Sequence, residues 1–238
     1  MNKSVLVISA HTADFVWRAG GAIAVASEAG LNVRVVCLSY GERGESASLW
    51  RENGMTVDRV KQVRRKEAEA AAEILGAEIA FLDAGDYPLL ETTELLDALV
   101  REFRTFRPSI VLTHSLEDPY NMDHPKAGQL AIQARVLAQA AGYPTEGKII
   151  GTPPVYLFEP HQPEMCKFHP DVFLDITSAF ELKRKAMQCM EAQEHLWKYY
   201  TELAYRRGVQ SVRNSGRNTI EYAEAFETVY PSVVEALW

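Results

Sequence analysis

Two short polar stretches of this chain carry residues of the types and spacing that bind a catalytic metal. The first is Ala10-His11-Thr12-Ala13-Asp14, directly after an aliphatic run; the second is Asp118-Pro-Tyr-Asn-Met-Asp-His124. His11 and Asp14 stand three residues apart, so a single turn brings imidazole and carboxylate to one side. His124 adds a second imidazole from a different part of the chain. Two histidines and an aspartate with one position left open is the pattern of a catalytic zinc site. A helix N-cap at Asp14 beside two hydrogen-bonded histidines fits the same residues, and spacing alone does not choose between them.

The elements that must position these residues are legible. Val5 to Ile8 is a continuous aliphatic run, as expected of a strand covered on both faces. A helix is expected from about Trp17 to Ala29, with Gly30 closing it. Val33 to Leu38 reads as a second strand, and Asp58 to Leu75 as a helix ended by Gly76. Ile79 to Leu82, Thr92 to Phe106, Ser109 to Thr113 and His124 to Ala141 continue as strand, helix, strand and helix, Pro125 suiting a first helical turn. Strand and helix in alternation imply an α/β, Rossmann-like three-layer fold with a mostly parallel sheet, filling residues 1–238 as a single domain. Val155 to Phe158 and Val172 to Ile176 read as further strands, and Ala179 to about Tyr205 as one long helix. In such sheets ligands sit beyond the carboxyl ends of the strands, where both polar stretches fall. Gly41 to Thr56 follows a strand end without periodicity and is a candidate active-site loop.

Composition narrows the function. With 25 Lys and Arg against 32 Asp and Glu, the net charge of -7 argues against a nucleic-acid binder. Cys37, Cys166 and Cys189 are too few and scattered for a disulfide framework, which points to a reducing, cytoplasmic setting. The apolar run near the start is too short for a signal peptide, and no stretch approaches the ~20 apolar residues of a membrane span. Neither nucleic acid nor membrane is an expected partner. The only glycine pair after the first strand, Gly20-Gly21, forms no dinucleotide fingerprint.

Taken together, the motifs resemble the PIG-L/LmbE-like de-N-acetylase superfamily. That family opens with a strand, A-H-P-D-D, a spacer and G-G; here these positions read Ala10-His11-Thr12-Ala13-Asp14 and Gly20-Gly21. Its R-x-x-E helix is similar to Arg64-Arg65-Lys66-Glu67, its H-P-D-H box to Asn121-Met122-Asp123-His124, and its late A-E-A-F to Ala223-Glu224-Ala225-Phe226. The resemblance implies His11, Asp14 and His124 as ligands of one divalent ion per chain, Zn²⁺ foremost, that activates a water molecule.

Departures from the family pattern redirect the chemistry. The deacetylases' general base is the first aspartate of A-H-P-D-D, which here is Ala13, and the first histidine of H-P-D-H, which steadies an oxyanion, is Asn121. A methyl group moves no proton, and an amide carries no imidazolium charge. A third departure, Arg18 in place of a family glycine, puts a carboxylate-binding side chain near the metal. Arg64 matches the family arginine that faces substrate. This combination looks like the branch that hydrates rather than deacetylates, the 4-oxalomesaconate hydratases of bacterial gallate breakdown. The implied reaction adds water to a C=C bond of a small anionic tricarboxylate, giving 4-carboxy-4-hydroxy-2-oxoadipate. Arg18, Arg64 and Asn121 are the expected substrate contacts.

Hydration needs a proton acceptor and a donor. Glu45, in a loop with Glu42 and Arg43, is the first candidate for acid/base work, and His161 in Phe158-Glu-Pro-His-Gln162 the second. A solvent-exposed loop glutamate and a structural histidine are the plainer readings of the two. Asp123 is a third candidate, for chemistry or for orienting the site. Ala204 to Ile220 holds Arg206, Arg207, Arg213 and Arg217 and no acid, so it is either a solvated basic segment or part of an anion pocket, shared with another subunit if the protein is the expected homo-oligomer. A zinc amidase with Glu45 as its base, and a non-catalytic binder of anions, are the rival functions.

Overall fold

Four branched aliphatic residues in a row, Val5 to Ile8, leave no face for water, and they form the middle of a sheet buried on both sides. The computed structural model describes residues 3–234. Strand β1 (Ser4–Ser9) runs parallel to β2 (Asn32–Cys37) and to β4 (Ile110–His114), with Val5 opposite Val33 and Ile110. Outside these lie β3 (Glu78–Phe81), parallel to β2, and β5 (Val155–Phe158), parallel to β4. The expected sheet is therefore present, in the order β3-β2-β1-β4-β5-β7-β6. The one antiparallel member is β7 (Ala223–Thr228), which sits between β5 and β6 (Val172–Asp175) with Phe226 beside Phe158. Glu224 and Glu227 interrupt its apolar pattern, which is why the sequence does not announce it as a strand.

Helices α1 (Asp14–Glu28), α2 (Val57–Leu75) and α5 (Phe180–Gln188) cover one face; α3 (Thr93–Phe106) and α4 (Asp123–Gln139) cover the other. Thr56 and Thr92 cap α2 and α3 by accepting from the amides of Arg59 and Leu95. Gly76, at φ 72°, ends α2 in the left-handed conformation a glycine adopts without steric cost.

The long helix expected over residues 179–205 is broken. Helix α5 stops at Gln188, a 3-10 turn spans Glu191–Leu196, and α6 runs over Trp197–Ser215. Gln193 leaves helical geometry (φ -130°, ψ 32°), and the amide of Ala192 turns to the Glu67 carboxylate of α2. This tertiary contact outweighs the segment's good helix propensity. The strand order reverses direction between β1 and β4, which opens a crevice at their carboxyl ends. No helix among the described residues is long and apolar enough to cross a membrane.

Candidate active site

The turn from β1 into α1 is tied down before any functional side chain leaves it. Ser39 Oγ donates to the Ala10 carbonyl, Ser9 Oγ to that of His11, and Thr12 Oγ1 to that of Tyr40. Asp14, the first residue of α1, accepts the His11 amide at 2.9 Å, so the two side chains converge as their spacing predicts. His124, in the first turn of α4, reaches the same point from the β4 side of the crevice. Glu45 arrives from the loop after β2. His11, Asp14, Glu45 and His124 each offer an atom within 4.8 Å of the others'.

Two aspartates set which ring nitrogens face the centre. His11 Nε2 lies 3.2 Å from Asp123 Oδ2, which leaves Nδ1 turned toward Asp14 (3.0 Å) and Glu45 (3.4 Å). Asp123 also accepts the amides of Tyr87 and Leu89 and is fully buried, so it orients His11 and has no access to a reacting atom. Asp118 Oδ2 takes His124 Nδ1 at 2.8 Å, leaving His124 Nε2 buried, 3.3 Å from Asp14 Oδ1 and 3.5 Å from Glu45 Oε1 but in hydrogen-bond geometry with neither. A buried imidazole nitrogen with no partner costs about 1–3 kcal/mol unless a cation takes its lone pair. The carboxylate-histidine pairs, the orphaned nitrogen and the mixed N/O donor set all fit a divalent metal.

Electrostatics point the same way. Burial alone lowers the pKa of His11, but Glu45, Asp123 and Asp14 carry it well above its ordinary value. His124, also opposed by burial, is raised to about 9 by Asp14 and Asp118. Burial would raise Glu45, yet His11 and His124 pull its pKa down to about 2. Without a metal, protons on the two imidazoles supply the positive charge that these carboxylates demand. His114, at the end of β4, stays neutral: burial depresses it, its Nε2 accepts the Ala10 amide, and its ring stacks on His124 at 4.5 Å.

A cleft of about 180 Å³ opens over this cluster, walled by Trp17, Arg18, Tyr87, Asn121, His161 and Tyr200. Arg18 is buried; its Nη1 donates to the Glu159 carbonyl, and its Nε is unpartnered, 3.4 Å from Asp14. Its Nη2 is 3.2 Å from His124 Nδ1, which donates its proton to Asp118 and so offers the guanidinium no acceptor, and Arg18 lines the cleft. Helix α1 is held at this turn by a buried pair: Glu224 of β7 accepts the amides of Gly21 and Ala22, and Lys183 of α5 bonds both Glu224 (2.7 Å) and the Trp17 carbonyl. Gly21 has to be glycine there, because a Cβ would lie 2.6 Å from Ile176.

Asn121 fixes Glu45: its Nδ2 donates to Oε1 at 2.8 Å, and its Oδ1 accepts the Asp123 amide. One of its two N–H donors is thereby engaged with a protein carboxylate. The Glu45 loop is locked by Asp86, which accepts the amides of Arg43 and Gly44. Glu42 and Arg43 of that loop do not line the cleft. His161 does, tilted against Tyr199 at 4.2 Å, with its pKa lowered by burial and by Arg18. Ala13 is fully buried in the core under α1.

One expectation is corrected. Arg64 does not reach the cleft: it is fully buried, pairs with Glu67 at 2.6 Å, and bonds Gln193, which stands between it and the site. Within the basic segment, Arg207 is neutralised by Glu159 and Arg206 pairs at the surface with Glu164, while Arg213 and Arg217 lie outside the cleft. Asp118, which opens the second polar stretch, and His114, Gln193 and Tyr200 also belong to the site, in roles their sequence positions do not assign. Asp118 alone had a signal, a carboxylate six residues before a candidate ligand.

Residues 6–135 match the PIG-L family model, described as GlcNAc-PI de-N-acetylase. The chain is 58% identical to a 4-oxalmesaconate hydratase of Pseudomonas putida over 99% of this chain and 92% of that protein. It is 29% identical to a diacetylchitobiose deacetylase of Thermococcus kodakarensis, covering 89% and 82% of the two chains. Among solved structures, GalB, the 4-carboxy-2-hydroxymuconate hydratase of Pseudomonas putida, superposes over 100% of both chains with a TM-score of 0.96 and 56% identity. The N,N'-diacetylchitobiose deacetylase of Pyrococcus horikoshii gives 0.77 and 25% over 95% of this chain and 83% of that one. On both the family match and the full-length likeness, the chain belongs to the PIG-L family.

Proposed function

We propose that this protein is a hydro-lyase that adds water to the C=C bond of 4-oxalomesaconate, giving 4-carboxy-4-hydroxy-2-oxoadipate in gallate breakdown. The observation that carries the reading is Ala13: a buried methyl group stands where a PIG-L deacetylase needs its base, beside a complete cation-binding cluster. The likeness over nearly the whole chain to a Pseudomonas putida hydratase, in sequence and in structure, supports it. A divalent ion, Zn²⁺ in our reading, held by His11, Asp14 and His124, would acidify a water molecule and polarise a substrate oxygen.

The remaining work falls to the chain. Glu45, ionised and clamped by Asn121, accepts a proton from the attacking water. The hydroxyl adds to one alkene carbon, the electron pair moves toward the conjugated keto group, and the other carbon takes a proton. His161 is placed on the cleft wall to donate it. Arg18 binds a substrate carboxylate through its guanidinium; that carboxylate offsets the charge that depresses His161 and so favours a protonated, donating imidazole. The three unpaired thiols, two of them buried, fit a reducing cytoplasm.

The rival reading is a deacetylase with Glu45 as its base, favoured by the likeness to the diacetylchitobiose enzymes. Metal-loaded protein assayed against the unsaturated tricarboxylate and against N-acetylglucosamine amides separates the two. Hydration without amide hydrolysis supports the proposal, and rapid amide hydrolysis overturns it.

A further inference from the structure

Glu45 is held by two amides, and the second of them is itself held. Gln193 Nε2 lies 3.2 Å from Glu45 Oε2, while Gln193 Oε1 accepts from Arg64 Nη2 at 3.0 Å and from Trp17 Nε1 at 3.4 Å. A guanidinium and an indole N–H can only donate. They therefore fix which end of the Gln193 amide faces them, and the NH₂ end must face the Glu45 carboxylate. Flipping the amide would set NH₂ against two donors and a carbonyl against a carboxylate. Arg64 is anchored in turn by Glu67, whose other oxygen holds the Ala192 amide and so fixes the backbone beside Gln193.

We propose that Arg64 and Gln193 are positioning residues for hydration: Arg64, seated on Glu67, sets the orientation of the Gln193 amide, and Gln193 aims the Glu45 carboxylate at the water. This assigns a function to a fully buried arginine that never meets substrate. It also gives a reason for the break between α5 and α6, since a continuous helix would not place Gln193 in its non-helical geometry. The inference rests on Glu45 as the proton acceptor of the proposed reaction.

Gln193→Leu removes the donor to Glu45 without adding charge to the cleft wall, whereas Gln193→Glu keeps the shape of the side chain and its acceptance from Arg64 and Trp17 but sets a second carboxylate beside Glu45. We expect kcat for hydration to fall by about 10–100-fold in both, the scale of a lost hydrogen bond to a charged group, with KM within about threefold and metal content unchanged in Gln193→Leu. Arg64→Met should also lower kcat with KM unchanged, Arg64→Lys should recover part of the loss, and Arg64→Met in a Gln193→Leu background should add nothing. In metal-loaded protein, the side-chain amide resonances of Gln193, assigned by their loss in Gln193→Glu, should shift in Arg64→Met. Wild-type kcat in Gln193→Glu, additive effects in the double variant, or a raised KM with unchanged kcat in Arg64→Met would overturn the proposal. If Arg64→Met does not fold, Gln193→Glu and Gln193→Leu still decide it. Glu45→Gln serves as the reference: if it is fully active, the Glu45 reading itself fails, whereas an inactive Glu45→Gln beside an active Gln193→Glu sinks only the positioning inference.

Discussion

Asp118 Oδ2 lies 2.8 Å from Nδ1 of His124, and this one contact determines that Nε2 is the nitrogen turned to the cluster. The two residues are separated by a single loop, so the ligand and its orienting carboxylate are built by one local segment at the end of β4. Asp118→Ala frees the ring to rotate and to change tautomer. We expect metal affinity to fall by about 10–100-fold, the usual effect of losing such a partner, with the fold retained. Competition against a chelator of known affinity measures this. Unaltered affinity would mean that packing against His114 suffices to hold the ring.

Arg18→Met should raise KM for the tricarboxylate, lowering kcat/KM by about 10–100-fold through loss of a charged hydrogen bond. Its effect contrasts with that of Arg64, whose loss should appear in kcat. Steady-state kinetics of the two variants side by side test the assignment, and unchanged kinetics for Arg18→Met would place the carboxylate site elsewhere on the cleft wall.

The pKa shifts give a pH dependence with a definite sign. His11 and His124 are raised in the metal-free fold, His124 from 6.5 to about 9. A raised pKa means that the folded state holds the proton more tightly than the unfolded chain, so the contribution is full below pH 6.5 and is lost as pH rises through 9. Metal-free protein should therefore melt at progressively lower temperature from pH 6.5 to 9. Metal affinity should rise over the same window, because protons no longer compete for the imidazoles. Thermal melts with and without chelator at several pH values check both. A metal-free melting temperature that climbs with pH would contradict the electrostatic picture of the cluster.

Much of the site was legible because its ligands lie at strand ends and helix starts, where sequence position translates directly into space. His11, Asp14 and His124 each follow a strand that its aliphatic run betrays. Glu45 was recognisable as reactive but not as part of the cluster, since a loop without periodicity carries no direction. Arg64 was misplaced for a physical reason: residue type does not tell a buried ion pair from an open donor, and Glu67, the acid that captures it, looked like any other acid on a helix. Gln193 left no trace in the sequence, because the break that delivers it comes from a tertiary bond to Glu67.

Lys183 and Glu224 make a further buried ion pair, at 2.7 Å, whose side chains do not line the cleft. Glu224→Ala would leave the Lys183 ammonium uncompensated and free two amides of α1. We expect a loss of about 3–5 kcal/mol in unfolding free energy, the range found when one partner of a buried pair is removed. Denaturant titration measures it, and a loss under about 1 kcal/mol would show that water enters to replace the carboxylate.

Ala13→Asp restores the residue type of the deacetylases and tests the reaction class directly. Ala13 is fully buried and adjacent to Asp14, so a carboxylate there adds negative charge beside a cluster already holding Asp14 and Glu45. That charge repels a polyanionic substrate and competes with Glu45 for the water. We expect kcat/KM for hydration to fall at least about 10²-fold, the lower bound of a general acid–base contribution, while the metal is retained. Amidase activity should stay near background, because Asn121 is neutral, has one N–H committed to Glu45 and supplies no charge to an oxyanion, a contribution worth about 10²–10³-fold where it is present. Arg18 continues to favour an anion in the cleft. Both activities can be followed on one metal-loaded preparation, with metal content measured alongside. Unimpaired hydration in Ala13→Asp would show that the methyl group is incidental to the chemistry, and efficient amide hydrolysis would show that the deacetylase machinery was one residue from complete.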